Sequence, residues 1–147
     1  MILISHRGNI NGCQIQLENK PEYIDAAIKL GYDVEVDVWY EEAQGFSLGH
    51  DSTEYKIDKD WIDSRANKLW IHCKNLESIQ WFNNTSEFNY FWHQEDTVTL
   101  TSKNYIWAFP GNQPIKNSIA VIPEKFDDDT SECLGVCSDY IKKYDNK

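Results

Sequence analysis

The segment Asp33 to Val38, DVEVDV, alternates acidic and β-branched residues. In a strand, Asp33, Glu35 and Asp37 point to one face and Val34, Val36 and Val38 to the other. Carboxylates on a face that is not free to meet water need a cationic partner. Glu35 and Asp37 at spacing i, i+2 lie about 6 to 7 Å apart along a strand, within reach of one hard divalent cation. A solvated acidic face is the other reading of the same pattern. The four histidines, His6, His50, His72 and His93, all fall at or near the ends of strand-like runs, which random surface placement does not explain. Imidazoles so placed suit proton transfer near neutral pH or metal ligation.

These residues need elements to position them. Residues 2 to 5 read as a buried strand that emerges at His6, Arg7 and Gly8. Pro21 opens a helix, PEYIDAAIKLG, with acidic residues in its first turns and Gly31 as a stop. It leads into DVEVDV, so a right-handed βαβ unit and a parallel strand pair are predicted. YEEAQG reads as a turn and GFSLGHD as a return strand ending at His50 and Asp51. A short helix is expected near Asp60 to Ala66, a strand at KLWIHCKN with Trp70, His72 and Lys74 on one face, and a helix over NLESIQWFNN with Leu76, Ile79 and Phe82 inward. Beyond it, strand-like runs recur at residues 89–94, 97–102, 104–111, 118–124 and 133–141, with gaps too short for crossover helices. Active sites in open α/β sheets and (β/α) barrels lie at the carboxyl ends of the strands, where these segments deliver their polar residues.

HRG, then ENKPEYIDAAIKLGYDVEVDV, then LGHD resembles the amino-terminal signature of the glycerophosphodiester phosphodiesterase family, within the wider group of barrel phosphodiesterases that includes phosphatidylinositol-specific phospholipases C. The resemblance is close over residues 1 to 51, loose at KLWIHCKN, and returns at LGVCSDYI. It implies an α/β fold, a reduced (β/α) TIM-type barrel with few outer helices in its second half, and metal-dependent hydrolysis of a glycerophosphodiester or similar small phosphodiester. His6 and His50 match the acid–base pair, and Asp51 is placed to orient His50, read as the acid, or to cap the next turn. Arg7 is a donor fork for a phosphate oxygen or a partner for Glu35 or Asp37. Glu35 and Asp37 match the metal ligands, Lys74 the lysine of the third strand, Glu18 the loop that closes the site, and Asp139 the acidic residue of the last strand.

One position departs from the pattern. His72 stands where the family presents a carboxylate. Mg²⁺ and Ca²⁺ prefer oxygen, so this histidine implies Mn²⁺ or Zn²⁺, a contact with substrate, or weakened metal binding. His93 and Trp92 are further candidates for substrate binding, and Trp107 and Phe109 line a pocket or fill the core.

At 147 residues and 41% apolar content the chain, residues 1–147, reads as a single domain, short for a barrel of roughly 250 residues. Few helices leave outer sheet surface to cover, by the six Trp, eight Tyr and six Phe or by a homodimer contact. The net charge of −10 excludes a nucleic-acid partner of the usual basic kind. No apolar run is long enough to span a bilayer and MILISHRG is no secretory signal, so a cytoplasmic location with free Cys13, Cys73, Cys133 and Cys137 is expected. Two non-enzymatic readings compete: a reduced barrel that binds a phosphorylated ligand or protein without turnover, and an aromatic-rich polysaccharide-binding domain.

Overall fold

A computed structural model of the chain describes residues 1–145. The described residues form a mixed α/β fold with one curled sheet and few helices. The elements run β1 Ile2–His6, α1 Pro21–Lys29, β2 Asp33–Glu41, β3 Gly45–Leu48, β4 Tyr55–Ile57, α2 Lys59–Asp63, β5 Leu69–Cys73, α3 Leu76–Asn83, β6 Asn89–Phe91, β7 Val98–Leu100, β8 Ile106–Ala108, β9 Ser118–Val121 and β10 Gly135–Ser138. Seven strands are parallel, in the spatial order β6-β5-β2-β1-β10-β9-β8. The first strand therefore lies beside the last, with Ser5 opposite Ser138.

Ring contacts measure the curl. Trp70 on β5 and Trp107 on β8 are five strand spacings apart along the sheet, about 24 Å if it were flat. Their ring centroids are 5.8 Å apart. Phe91 on β6, one strand further, packs against Trp107 with ring centroids 4.5 Å apart. No ladder joins β6 to β8 among the described residues; Ser102 bridges there, its amide donating to the Tyr90 carbonyl at 2.8 Å.

The two faces of β2 divide as the alternation predicts. Val34, Val36 and Val38 are fully buried under α1 and α3, beside Ile24, Ala27, Ile71 and Phe82. Glu35 and Asp37 face the concave side. Beside and below them that side is filled by Ile4, Trp70, Phe91, Trp107, Ile119 and Cys137, with Trp70 in register with Glu35 and Phe91 in register with His72. The aromatic residues expected to cover the outside of the helix-poor half are thus partly spent on the inside. The outer face there is closed instead by Tyr32 and Ile141 over Ala120 and Val136, with small strand residues needing little cover.

Several expected boundaries shift. β2 runs on to Glu41 through residues read as a turn, and β3 returns antiparallel, Val38 opposite Leu48. β4, unforeseen, extends this hairpin, and α2 ends at Asp63 rather than Ala66. β7 is an antiparallel edge strand. Leu76 does not face inward but is exposed, because Asn75 caps α3 and Ser78 takes the inward position of the first turn. All four cysteines are free. No helix is long and apolar enough to cross a membrane among the described residues.

Candidate active site at the carboxyl end of the sheet

The concave side becomes polar beside and above this aromatic floor. His6 ends β1, and its pairing opposite Glu35 of β2 sets the two side chains next to each other, Nε2 to Oε2 at 3.8 Å. His72 of β5 is opposite Asp37 of β2, and its Nδ1 lies 3.3 Å from Asp37 Oδ1 and 3.7 Å from Glu35 Oε1. Parallel register thus places both carboxylates between two imidazoles. Ligand atoms of Glu35, Asp37 and His72 all lie within 4.8 Å of one another, close to the span across one cation with bonds of about 2.0 to 2.5 Å.

Local geometry identifies the free atoms. His72 Nε2 is 2.8 Å from the backbone oxygen of His93, an acceptor only, so Nε2 carries the hydrogen and donates. In the neutral ring the Nδ1 lone pair then faces the two carboxylates. Glu35 Oε2 and Asp37 Oδ1 are buried and accept no hydrogen bond. An electron-rich trio with unused lone pairs fits a cation, and the nitrogen in it favours a softer ion than Mg²⁺.

Basic residues flank the trio. Arg7 Nε is 2.9 Å from Asp37 Oδ2 and its Nη1 3.2 Å from Glu18 Oε2, and Lys74 Nζ is 3.6 Å from Asp37 Oδ1. The Arg7 pair with Asp37 is a close charge contact whose N–H is poorly aligned for a hydrogen bond. Of the two readings of Arg7, the ion pair with Asp37 is present, while Arg7 also lines the cavities at the mouth. Asn19 holds Asp37 from the loop, donating to Oδ2 at 2.9 Å and accepting from the Asp37 amide at 3.0 Å. Arg7 and Asn19 both have positive φ, 54° and 62°, and Asn19 N donates to the Arg7 carbonyl, so the two left-handed residues brace each other.

His6 is held from its other side. Its Nδ1 is 2.7 Å from Asp139 Oδ1, which also accepts from Asn9 Nδ2 at 2.8 Å. Burial opposes charge on His6, but the Asp139 hydrogen bond and the Glu35 carboxylate outweigh it and raise its pKa. Burial also works against ionised Asp139, and His6 and Asn9 overcome this and lower its pKa. Burial and the nearby Asp37 charge push Glu35 up. Asp37 is the reverse: despite burial, His72 when it also carries a proton on Nδ1, together with Arg7 and Lys74, holds its carboxyl well below the usual range.

His50 reaches the mouth by a different route. β3 is not a parallel strand with its end at the mouth. The β2–β3 hairpin rises beyond the site and descends again, and the Gly49 amide donates to the Asp37 carbonyl at 3.1 Å. A side chain at Gly49 would collide with the Ser52 carbonyl, its Cβ only 2.0 Å away at φ +152°, so the descent needs glycine. His50 Nδ1 pairs with Asp51 at 2.8 Å, and burial and Arg7 lower the His50 pKa. His6, Arg7 and His50 line the same two cavities, of about 390 and 510 Å³.

Among the remaining candidates, Glu18 accepts from Asn9 and Arg7 and lines the smaller cavity, and Lys74 and His93 line the larger. His93 acts on His72 through its carbonyl, and its own Nε2 donates to the Asp96 carbonyl at 2.6 Å. Trp92 does not join them. It follows Phe91, which takes the inward position at the end of β6, and it lies exposed, outside both cavity linings. Trp107 and Phe109 line the larger cavity. Sequence reasoning missed Asn9, Asn19, Ile122 and Lys125. For Asn19 the signal was present, a left-handed-tolerant residue directly after Glu18, whereas Ile122 and Lys125 sit in a stretch with no motif. Comparison with protein-family models, with curated proteins and with solved structures finds no match for this chain.

Proposed function

We propose that this chain is a divalent-metal-dependent phosphodiesterase, a reduced (β/α) barrel of the glycerophosphodiester phosphodiesterase type that hydrolyses a glycerophosphodiester or similar small phosphodiester. The observation that carries the reading is the His72 ring: its Nε2–H is committed to the His93 carbonyl, so Nδ1 joins two buried carboxylates with unused oxygens. Glu35, Asp37 and His72 would hold the ion, Mn²⁺ or Zn²⁺ suiting the imidazole better than Mg²⁺ or Ca²⁺. When bound, it supplies Lewis-acid polarisation of a phosphoryl oxygen.

The chain's own residues do the rest. Arg7 and Lys74 offer positive charge to the non-bridging oxygens. His50, its pKa lowered, is the base that takes the proton from the attacking hydroxyl, of water or of the substrate itself, as the bond to phosphorus forms. His6, its pKa raised and its Nδ1 held by Asp139, gives a proton from Nε2 to the departing alkoxide as the second P–O bond breaks. Neighbouring groups whose proton affinities are pushed apart in this way suit the two halves of acid–base catalysis, and the assignment reverses the roles expected from sequence.

Phosphate binding without turnover is the second reading, favoured because Arg7 and Lys74 neutralise Asp37 without a metal ion. Turnover of a chromogenic diester with Mn²⁺ separates the two. Under the enzymatic reading chelation abolishes turnover and His6→Ala lowers it about 10²- to 10⁴-fold. Full turnover in excess chelator, or after His6→Ala, removes that mechanism, and saturable binding without product establishes the second reading.

A further inference from the structure

Building on the phosphodiesterase reading, we infer that the cleft sorts the two arms of its diester, taking a hydrogen-bond-donating arm on one side and an apolar arm on the other, with Ile122 as the partition. The two cavities share His6, Arg7, His50 and Ile122 and diverge beyond them. The first three are the groups that handle the phosphoryl centre, so each cavity receives one of its ester arms. Both volumes, about 390 and 510 Å³, fall in the range of small-molecule sites.

Their walls differ in charge and in aromatic content. The smaller has four carboxylates, Glu18, Asp51, Glu54 and Asp139, with Asn19, a set of acceptors for hydroxyl or ammonium hydrogens, and its apolar residues Ile15 and Ile122 are aliphatic. The larger has Trp107, Phe109, Pro110 and Val121, with Glu35 as its one carboxylate against Lys74 and Lys125. Phe109 is 37% exposed and its ring stands nearly perpendicular to that of His93 at 5.6 Å, so part of its surface is open to a ligand. An apolar arm gains from that wall what a polyol does not.

Ile122 has a conformation that marks it out. Its φ and ψ are 44° and 54°, left-handed, which β-branched residues avoid and which glycine or asparagine would adopt with less strain. Its amide donates to the Cys137 carbonyl at 2.7 Å, and Pro123 follows, opening the turn Pro123–Lys125 that brings Lys125 to the larger cavity. A bulky apolar side chain is thus held on a strained backbone at the boundary between the two cavities.

The test uses the full chain with Mn²⁺ and two phosphodiesters, bis-glycerol phosphate and the mixed glycerol/4-nitrophenyl diester. Affinity is measured by calorimetry and product formation separately. The mixed diester is expected to bind about tenfold more tightly, roughly 1.4 kcal/mol. That ratio should fall toward one in Phe109→Ala and in Ile122→Asn, the latter chosen because asparagine tolerates the left-handed backbone. A ratio near one in the unaltered protein, or one that neither variant changes, overturns the inference. Turnover of both diesters with a ratio near one removes the arm assignment and leaves the phosphodiesterase reading. A tenfold ratio without product does the opposite, and no binding of either diester removes both.

Discussion

His6 Nδ1 and Asp139 Oδ1 are 2.7 Å apart although 133 positions separate them in the chain. Pairing of the first strand with the last brings them together, and Asn9 fixes the carboxylate from a second side. Asp139→Asn keeps an acceptor in the same place and removes its charge. Turnover should fall about tenfold to a hundredfold, with a loss of about 1 to 3 kcal/mol of stability. Steady-state kinetics beside urea denaturation checks both, and an unchanged kcat would show that Asp139 does not support His6.

Arg7 has a left-handed backbone and is the closest cation to Asp37, whose side chain has no solvent exposure. Two effects of Arg7→Gly oppose each other. Glycine relieves the backbone by up to about 1 kcal/mol, but leaving a buried carboxylate without this partner costs about 3 to 5 kcal/mol. Net destabilisation of a few kcal/mol is expected in urea, and a more stable variant would mean that Lys74 and His72 alone neutralise Asp37.

His72→Asp replaces nitrogen by oxygen at the trio. The unaltered protein should be stabilised by Mn²⁺, by about 2.7 kcal/mol over the metal-free protein where the ion reaches a hundred times its Kd, and less by Mg²⁺ at the same concentration. In the variant the preference for Mn²⁺ should shrink. Thermal melts with each ion, reversed by chelator, read this directly. Identical ion dependence in the two proteins would place His72 outside the coordination sphere.

Strongly alkaline pH should weaken the fold as well as the site. Burial pushes the Cys73 thiol up to about 12, and burial beside Glu124 pushes Tyr144 up to about 12. Both are acids whose folded values exceed their ordinary ones, so their contribution is complete below pH of about 9 and is lost as pH rises toward 12. Unfolding midpoints measured from pH 8 to 12 should decline across that window. Cys73→Ser should make the Cys73 share of the decline disappear, and an unchanged profile would assign it to other groups.

How much was legible depended on whether a signal was local. The alternation of DVEVDV was sufficient to assign the two faces of β2, because strand geometry sends successive side chains to opposite sides whatever the rest of the chain does. Helix α1 was equally plain from Pro21 and Gly31. The hairpin was not: Tyr40 and Glu41 open the polar stretch YEEAQG that reads as a turn, yet they pair with Phe46 and Gly45 of β3, since ladder hydrogen bonds outweigh the weak strand preference of Glu41.

The amino-acid sequence by itself determined which residues could do chemistry, that Glu35 and Asp37 share a face, and that His6, His72 and His93 stand at strand ends. Only the tertiary structure decided that Asp139 holds His6, that His50 descends to the mouth on a hairpin, that Trp92 turns away, and that Ile122 stands between two cavities. Those relationships join segments far apart in the chain through strand order and curl, and neither periodicity nor spacing encodes them.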